Sequence, residues 1–249
     1  MLKRRFLLNN YDCTTFINDL SQFHIEINEK QKDQFLTYYD LLIEWNSFMN
    51  LTAITDFNDV MKKHFVDSIS LIKAVPDIMD KRYTLIDIGT GAGFPGIPLK
   101  IVFPELEIVL LDSLNKRVSF LNEVIGCLHL SKIEAIHGRA ETFAKKKEFR
   151  ECFDICVSRA VANLATLSEY CLPFVKPEGY FVSYKSEKIA EEFERAGKAI
   201  KLLGGSYEKQ IEFYLPNSDI YRNLFMIKKI SNTPLKYPRK EGLPSKEPI

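Results

Sequence analysis

The sequence predicts an α/β fold built on one mostly parallel sheet, and three observations point to it. Short apolar runs alternate with amphipathic stretches from Tyr83 onward. A glycine-rich segment, Gly89 to Gly96, follows the first of those runs. The last two runs are separated only by Pro216-Asn217-Ser218-Asp219. Alternation of this kind places helices on both faces of a parallel sheet. The final link leaves no room for a crossover helix, so it predicts an antiparallel hairpin at the end of the sheet.

Residues from about 12 to 80 predict helices. Phe35, Tyr38, Tyr39, Leu42, Trp45 and Met49 recur at three- and four-residue steps and form one apolar face, with Trp45 read as core. Ile69, Ile72 and Lys73 predict another helix, stopped before Pro76. Strands are predicted at 84–88, 107–112, 133–137, 153–158 and 179–184, followed by the hairpin strands 209–215 and 223–230. Val118, Leu121, Ile125 and Leu128 repeat at helical spacing between the second and third strands. Ile189, Phe193, Ala196, Ile200 and Leu203 do so after the fifth, closed by Gly204-Gly205. The tail is rich in proline and basic residues and is expected to be extended. The chain thus divides into a helical extension (1–80), a sheet domain (81–230) and a basic, Pro-rich tail (231–249).

Composition bounds the function. At 249 residues, with 46% hydrophobic and 27% charged residues, the chain is an ordinary globular protein. A formal net charge of +1 excludes a global field toward nucleic acid or membrane, so any polyanion binding must come from local asymmetry. The five cysteines show no paired CxxC and no Cys/His metal spacing. They are read as buried free thiols in a reducing compartment, and no metal is expected. The start MLKRRFLLNNYDC holds too short an apolar run for a signal peptide, and no run approaches a membrane span. The expected location is the cytoplasm, with no membrane partner.

The segment Leu85-Ile86-Asp87-Ile88-Gly89-Thr90-Gly91-Ala92-Gly93-Phe94-Pro95-Gly96 carries the chemistry. Glycine lets a backbone take positive φ and pass close to a ligand. Gly91-x-Gly93-x-x-Gly96, with Asp112 21 residues after Gly91, satisfies the dinucleotide fingerprint, a spacing that several cofactor classes share. Asp87 shifts the balance. A carboxylate at the strand end repels a pyrophosphate, whereas S-adenosylmethionine has no phosphate and carries an ammonium and a sulfonium. A dinucleotide fold also needs two mononucleotide halves and a substrate domain, and here there is one sheet. The architecture looks like a class I S-adenosylmethionine-dependent methyltransferase: a Rossmann-like seven-stranded sheet, last strand antiparallel, with an N-terminal helical extension.

In such a sheet the ligand lies outside the carboxyl ends of the strands. The first end supplies Asp87, Gly89, Gly91 and Gly93. The second supplies Asp112, Ser113 and Leu114, where the carboxylate accepts the ribose hydroxyls or, alternatively, caps the helix starting near Asn115. The third supplies Ala140 and Glu141 for the adenine, although an acid there also suits a first helical turn. The fourth supplies Ser158-Arg159-Ala160 beside the transferred methyl group. That end lacks the Asn/Asp-Pro-Pro-aromatic loop used on exocyclic amines. Cys152 and Cys156, placed in the strand, are read as structural rather than as the nucleophile that methylation at pyrimidine carbon five requires. A ring nitrogen with a free lone pair, such as guanine N7, needs only alignment. No catalytic acid or base is therefore assigned. The competing readings are an NAD-dependent oxidoreductase and a non-catalytic RNA-binding protein with a nucleotide fold.

Several stretches together resemble one family. They are Trp45-Asn46, Asn50-Leu51-Thr52-Ala53-Ile54, His64-Phe65-Val66-Asp67-Ser68, the glycine loop with Asp87, Leu111-Asp112-Ser113 with Lys116-Arg117, Gly138-Arg139-Ala140-Glu141, Ser158-Arg159-Ala160, and Tyr237-Pro238-Arg239-Lys240 with Gly242 and Pro244. From about residue 40 onward the chain resembles the bacterial small-subunit rRNA guanine-N7 methyltransferases, once described as glucose-inhibited division protein B. The resemblance implies methylation of a guanine in the decoding-region loop of 16S rRNA, with 16S rRNA or the small ribosomal subunit as partner. It also implies cofactor contacts at Gly89, Phe94, Asp112 to Leu114, Ala140-Glu141 and Arg159. Family members commonly carry Lys-Gly after strand five, whereas here Lys185 precedes Ser186. Residues 222–249 hold seven Lys/Arg against two Glu, an excess of five that suits phosphates. Arg222, Arg239, Lys240 and Lys246, with His64 and Lys185, are the candidate RNA contacts. His64 and Asp67, one helical turn apart, otherwise read as a surface hydrogen bond.

Overall fold

The computed structural model describes residues 11–159, 162–186 and 190–249. Ala160 and Val161 of the fourth-strand motif, Ile189 of the predicted helix and the first ten residues of the extension lie outside the described residues.

Seven strands form one sheet in the order β3-β2-β1-β4-β5-β7-β6. They are β1 (Thr84–Ile88), β2 (Glu107–Asp112), β3 (Ile133–His137), β4 (Phe153–Arg159), β5 (Val175–Lys185), β6 (Gly205–Tyr214) and β7 (Tyr221–Lys229). β1 to β5 pair in parallel, and β7 inserts antiparallel between β5 and β6. The predicted hairpin is therefore present. The chain reverses between β1 and β4, and this switch point aims the carboxyl ends of both strands at a common crevice.

The period-two alternation of the strands sorts their side chains into two cores. Leu85, Leu110, Ile155, Val157 and Met226 face one core. Ile86, Leu111, Cys156, Phe181 and Phe225 face the other. The first core is covered by α1 (Thr14–Ser21), α2 (Glu29–Met49), α3 (Phe57–Val60), α4 (Asp67–Ile69), α5 (Gly96–Val102) and α6 (Asn115–Cys127). The second is covered by α7 (Ala140–Phe143), α8 (Leu164–Cys171), α9 (Ala190–Leu202) and, from the tail, Tyr237. A final turn, α10 (Leu243–Lys246), ends the chain.

α2 begins with a capping box. The Asn28 side chain accepts from Gln31 N at 2.9 Å, and Gln31 Oε1 accepts from Asn28 N at 3.0 Å. Gln31 also donates to Ile101 O at 2.8 Å, which ties the extension to α5. Phe35, Tyr38 and Phe65 are fully buried. Burying each such ring contributes roughly 1.5–3 kcal/mol. The helix predicted around Ile69 and Ile72 is instead three short pieces: a π-helical segment (Met61–Val66), α4, and a 3-10 turn (Ser70–Lys73). α8 is buried nearly all round, its polar Thr166, Ser168 and Glu169 included. Its start is set by Asn163, whose side chain accepts from Thr166 N at 3.0 Å. Of the cysteines, Cys152 lies outside β4 and is exposed, and Cys127 is half-buried, contrary to the expectation of five buried thiols.

Candidate active site

The glycine loop is braced from below. Asp87, fully buried at the end of β1, accepts from Thr90 Oγ1 at 2.7 Å and Gly96 N at 2.9 Å through Oδ2. Its Oδ1 has no hydrogen-bond partner. Burial pushes its pKa up to about 7, against the lowering effect of the Thr90 and Gly96 hydrogen bonds. Asp87 lines neither cavity described below. The sequence reading put its charge before the cofactor, whereas the structure turns it under the loop, where it closes the turn from strand to α5. Gly93, at φ 96°, has room for no side chain: a Cβ there would come within 2.6 Å of Tyr38 Oη and Ile97. Tyr38 Oη donates to Ala92 O, so the loop rests on α2. Apolar periodicity marked Tyr38 only as core. The one signal of more was its hydroxyl, which a buried tyrosine must satisfy.

Asp112 holds the loop to the next strand. Gly91 N donates to Asp112 Oδ2 and Leu114 N to Oδ1, both at 2.9 Å, with Arg117 Nη1 3.6 Å from Oδ2. α6 has no side-chain cap, and its N-cap residue is Leu114. The helix-cap alternative for Asp112 is therefore overturned: its acceptors serve the two flanking loops.

Two cavities meet at Gly89. The smaller, of about 220 Å³, lies outside β2 and β3 and is bounded by Ser113, Ala140, Glu141, Tyr170 and Ser245. The larger, of about 710 Å³, lies outside β1 and β4. Gly91, Phe94, His64, Arg159, Lys185 and Arg222 all border it. Of the residues read from sequence as cofactor contacts, Gly93, Asp87 and Asp112 support the cavities without bordering either, and Leu114 borders neither and is exposed.

The floor of the larger cavity is an ionic cluster. Asp67, 5% exposed at its side chain, accepts from Arg159 Nη1 at 3.0 Å and from Arg222 Nε at 2.8 Å. The π-helical segment ends in a bond from Asp67 N to Lys62 O, and both His64 and Asp67 reach Arg159. His64 stacks on Phe94 with ring centroids 4.6 Å apart, and Arg159 lies 5.0 Å from the same ring. Thr52 Oγ1 is 2.8 Å from His64 Nε2. Burial, with the Arg159 charge second, pushes the His64 pKa down to about 3, so the imidazole is neutral. The surface hydrogen-bond reading of His64 and Asp67 does not hold. Both belong to the cleft, and Asp67 serves two arginines from other elements. Among the described residues that border this cavity, Lys63, Arg117, Arg159, Lys185 and Arg222 outnumber the acid Asp67, with Lys63 paired to Asp59 and Lys185 to Glu192 beside it.

Lys185 donates to Ala162 O at 3.1 Å and to Glu192 Oε1 at 2.7 Å at the cavity rim. The tail differs from expectation. Arg239 does not face the larger cavity but grips Glu169 on α8, with Nε at 2.9 Å from Oε1 and Nη2 at 2.7 Å from Oε2. The segment is folded back rather than extended, because the buried Glu169 carboxylate needs a cation. Lys240 and Lys246 are exposed.

The comparisons with known proteins agree with this geometry. The family model described as rRNA small subunit methyltransferase G matches residues 31–219. A ribosomal RNA small subunit methyltransferase G of Lachnoclostridium phytofermentans is 56% identical over 238 residues, covering 96% of this chain and 98% of that protein. The protein of the same name from Acetivibrio thermocellus is 54% identical over 233 residues, covering 94% and 95%. Among solved structures, MtNAS in complex with MTA and tNA is 15% identical, with a TM-score of 0.53, covering 80% of this chain and 71% of that one, a likeness of fold alone. With bracing loop, paired cavities and matched sequence in agreement, the chain belongs to the rRNA small subunit methyltransferase G family.

Proposed function

We propose that the chain transfers the methyl group of S-adenosylmethionine to N7 of a guanine in the decoding-region loop of 16S rRNA, in the cytoplasm. The single observation that carries the reading is the pair of cavities meeting at Gly89, the smaller bordered by Glu141 and Tyr170, the larger by Arg159, Lys185 and Arg222. The residues suit that cofactor. The small cavity presents Glu141 and Tyr170 to an adenine, and the loop presents backbone rather than side chains. Asp112 uses two of roughly four carboxylate acceptor sites on the backbone, leaving capacity for ribose hydroxyls. When bound, the cofactor supplies an electrophilic methyl group. Phe94 and Arg159 border the larger cavity beside Gly89 and Gly91, at the methyl end.

A guanine N7 carries its lone pair already, so no residue has to remove a proton. The task of the protein is alignment. Neutral His64, backed by the Phe94 ring, offers a flat surface to a base, while Lys63, Lys185 and Arg222 suit the RNA phosphates. Asp67 holds both arginines in place. Lys240 and Lys246 extend the basic surface. The 1–80 extension is read as the base-side wall, 81–230 as the methyltransferase domain proper.

Calorimetry with S-adenosylhomocysteine and with NADH tests the cofactor: micromolar binding of NADH alone sinks the reading. Mass mapping of 16S rRNA from a deletion strain tests the acceptor. Persistence of the guanine N7 methyl group in that strain rejects it.

A further inference from the structure

We propose that the C-terminal segment is a built wall of the small cavity, and that Arg239 is a positioning residue for Glu141 and through it for the adenosine half of the cofactor. The inference rests on the cofactor reading above. Three successive anchors fold the segment back. First, the Arg150 guanidinium donates to Thr233 O at 2.7 Å and Tyr237 O at 3.0 Å, and the Tyr237 ring is buried in the second core. Next, Arg239 meets Glu169 with both its guanidinium and its backbone N, the latter 2.7 Å from Oε1. The Glu169 side chain is 1% exposed, so this charge depends on that partner. A bidentate contact joined by a backbone bond admits one geometry.

Three residues later that geometry reaches the cavity. Gly242, at φ 76°, donates its N–H to Glu141 Oε1 at 2.9 Å. Pro244 O accepts from Thr166 Oγ1 at 3.0 Å, and Ser245, which donates from Oγ to Gly242 O at 3.0 Å, borders the small cavity beside Glu141 and Tyr170. Fixing Oε1 sets the plane of the Glu141 carboxylate, and so the direction of its second oxygen. A donor such as an exocyclic amine in the cavity meets that orientation ready-made. Arg239 thus spends its charge inside the protein. The exposed Lys240 and Lys246 remain for a polyanion.

The test uses the full chain, with S-adenosylhomocysteine affinity measured by calorimetry without RNA, and Michaelis constants for S-adenosylmethionine and RNA measured separately. Arg239→Ala is expected to raise the Kd by about tenfold, the size of one charged hydrogen bond, and to raise the Michaelis constant for S-adenosylmethionine but not for RNA. Arg239→Lys, which cannot make the bidentate contact, restores part of the affinity. If Arg239→Ala fails to fold, Arg239→Ala with Glu169→Gln removes the stranded charge while keeping the grip broken. In a Glu141→Ala background, breaking the grip adds no further loss. Leu235→Ala, an exposed tail change, leaves the Kd as it was. Equal affinity of wild type and the Arg239 variants overturns the inference, as does a loss confined to RNA or full additivity with Glu141→Ala. Failure of the wild type to bind S-adenosylhomocysteine overturns the cofactor reading instead.

Discussion

At the small cavity the chain closes over its own acids: Glu141 takes the Gly242 amide and Glu169 takes Arg239. At the large cavity the arrangement is reversed: Asp67 is shared by two arginines, and the rim lysines Lys63 and Lys185 reach Asp59 and Glu192. Buried carboxylates need partners, and the tail supplies them beside the small cavity. Guanidinium groups at the large cavity need only one acid to be aligned, and keep donors to spare. The difference separates the two ligand tasks. A small cofactor suits acids whose orientation is already fixed, whereas a polyanion suits a mouth lined by cations.

The comparison breaks most visibly at Asp67. Asp67→Ala leaves Arg159 and Arg222 facing each other without an acid and is expected to cost about 3–5 kcal/mol of stability in urea unfolding. A loss below about 1 kcal/mol means the cluster is not a brace. The second effect is at the junction of the cavities. Asp112→Ala is expected to weaken S-adenosylhomocysteine binding by about 1.5–3 kcal/mol, and unchanged affinity in calorimetry would leave Asp112 as a loop anchor only. The third is at the large cavity. Lys63→Ala should lower RNA affinity and reduce the salt slope by about 0.7, one single-stranded phosphate, with cofactor affinity unaltered. An unchanged slope removes Lys63 from the interface.

A pH dependence at Asp87 tests the brace beneath both cavities. Its pKa is raised from 3.8 to about 7 by burial. The native state therefore holds a proton that the unfolded chain releases, and the resulting stabilisation is present below the unfolded value and lost as pH rises through about 7. Asp87→Asn lacks this term. Thermal unfolding should show wild type losing ground to the variant between about pH 4 and about pH 7. Parallel curves would show that Asp87 is not protonated in the fold.

Much of this molecule was legible as sequence. Period-two runs set the strands, and the link at Pro216-Asn217-Ser218-Asp219 set the hairpin, because both depend on local chain geometry. β5 starts at Val175 rather than 179, and β6 at Gly205 rather than 209, since Pro, Gly and charged residues obscured the strand starts. α8 escaped because its polar Thr166, Ser168 and Glu169 are buried along with its apolar residues, so polarity does not mark an outer face. At the site, Gly89, Ala140, Glu141 and Arg159 fall where strand ends place them. Arg239 and Asp87 do not, and for one reason: a sequence shows a charge but not its partner.

The sequence by itself determined the sheet, the glycine loop, the switch point and the family, because backbone periodicity, φ preferences and motif spacing are local properties. Tertiary structure alone decided that Asp87 braces the loop, that Asp67 serves Arg159 and Arg222 across 92 and 155 residues of chain, and that the tail walls a cavity. The Asp67 and tail contacts join distant segments and the Asp87 contacts close a local turn, but in each case the cost of leaving a buried charge unpaired selects the partner.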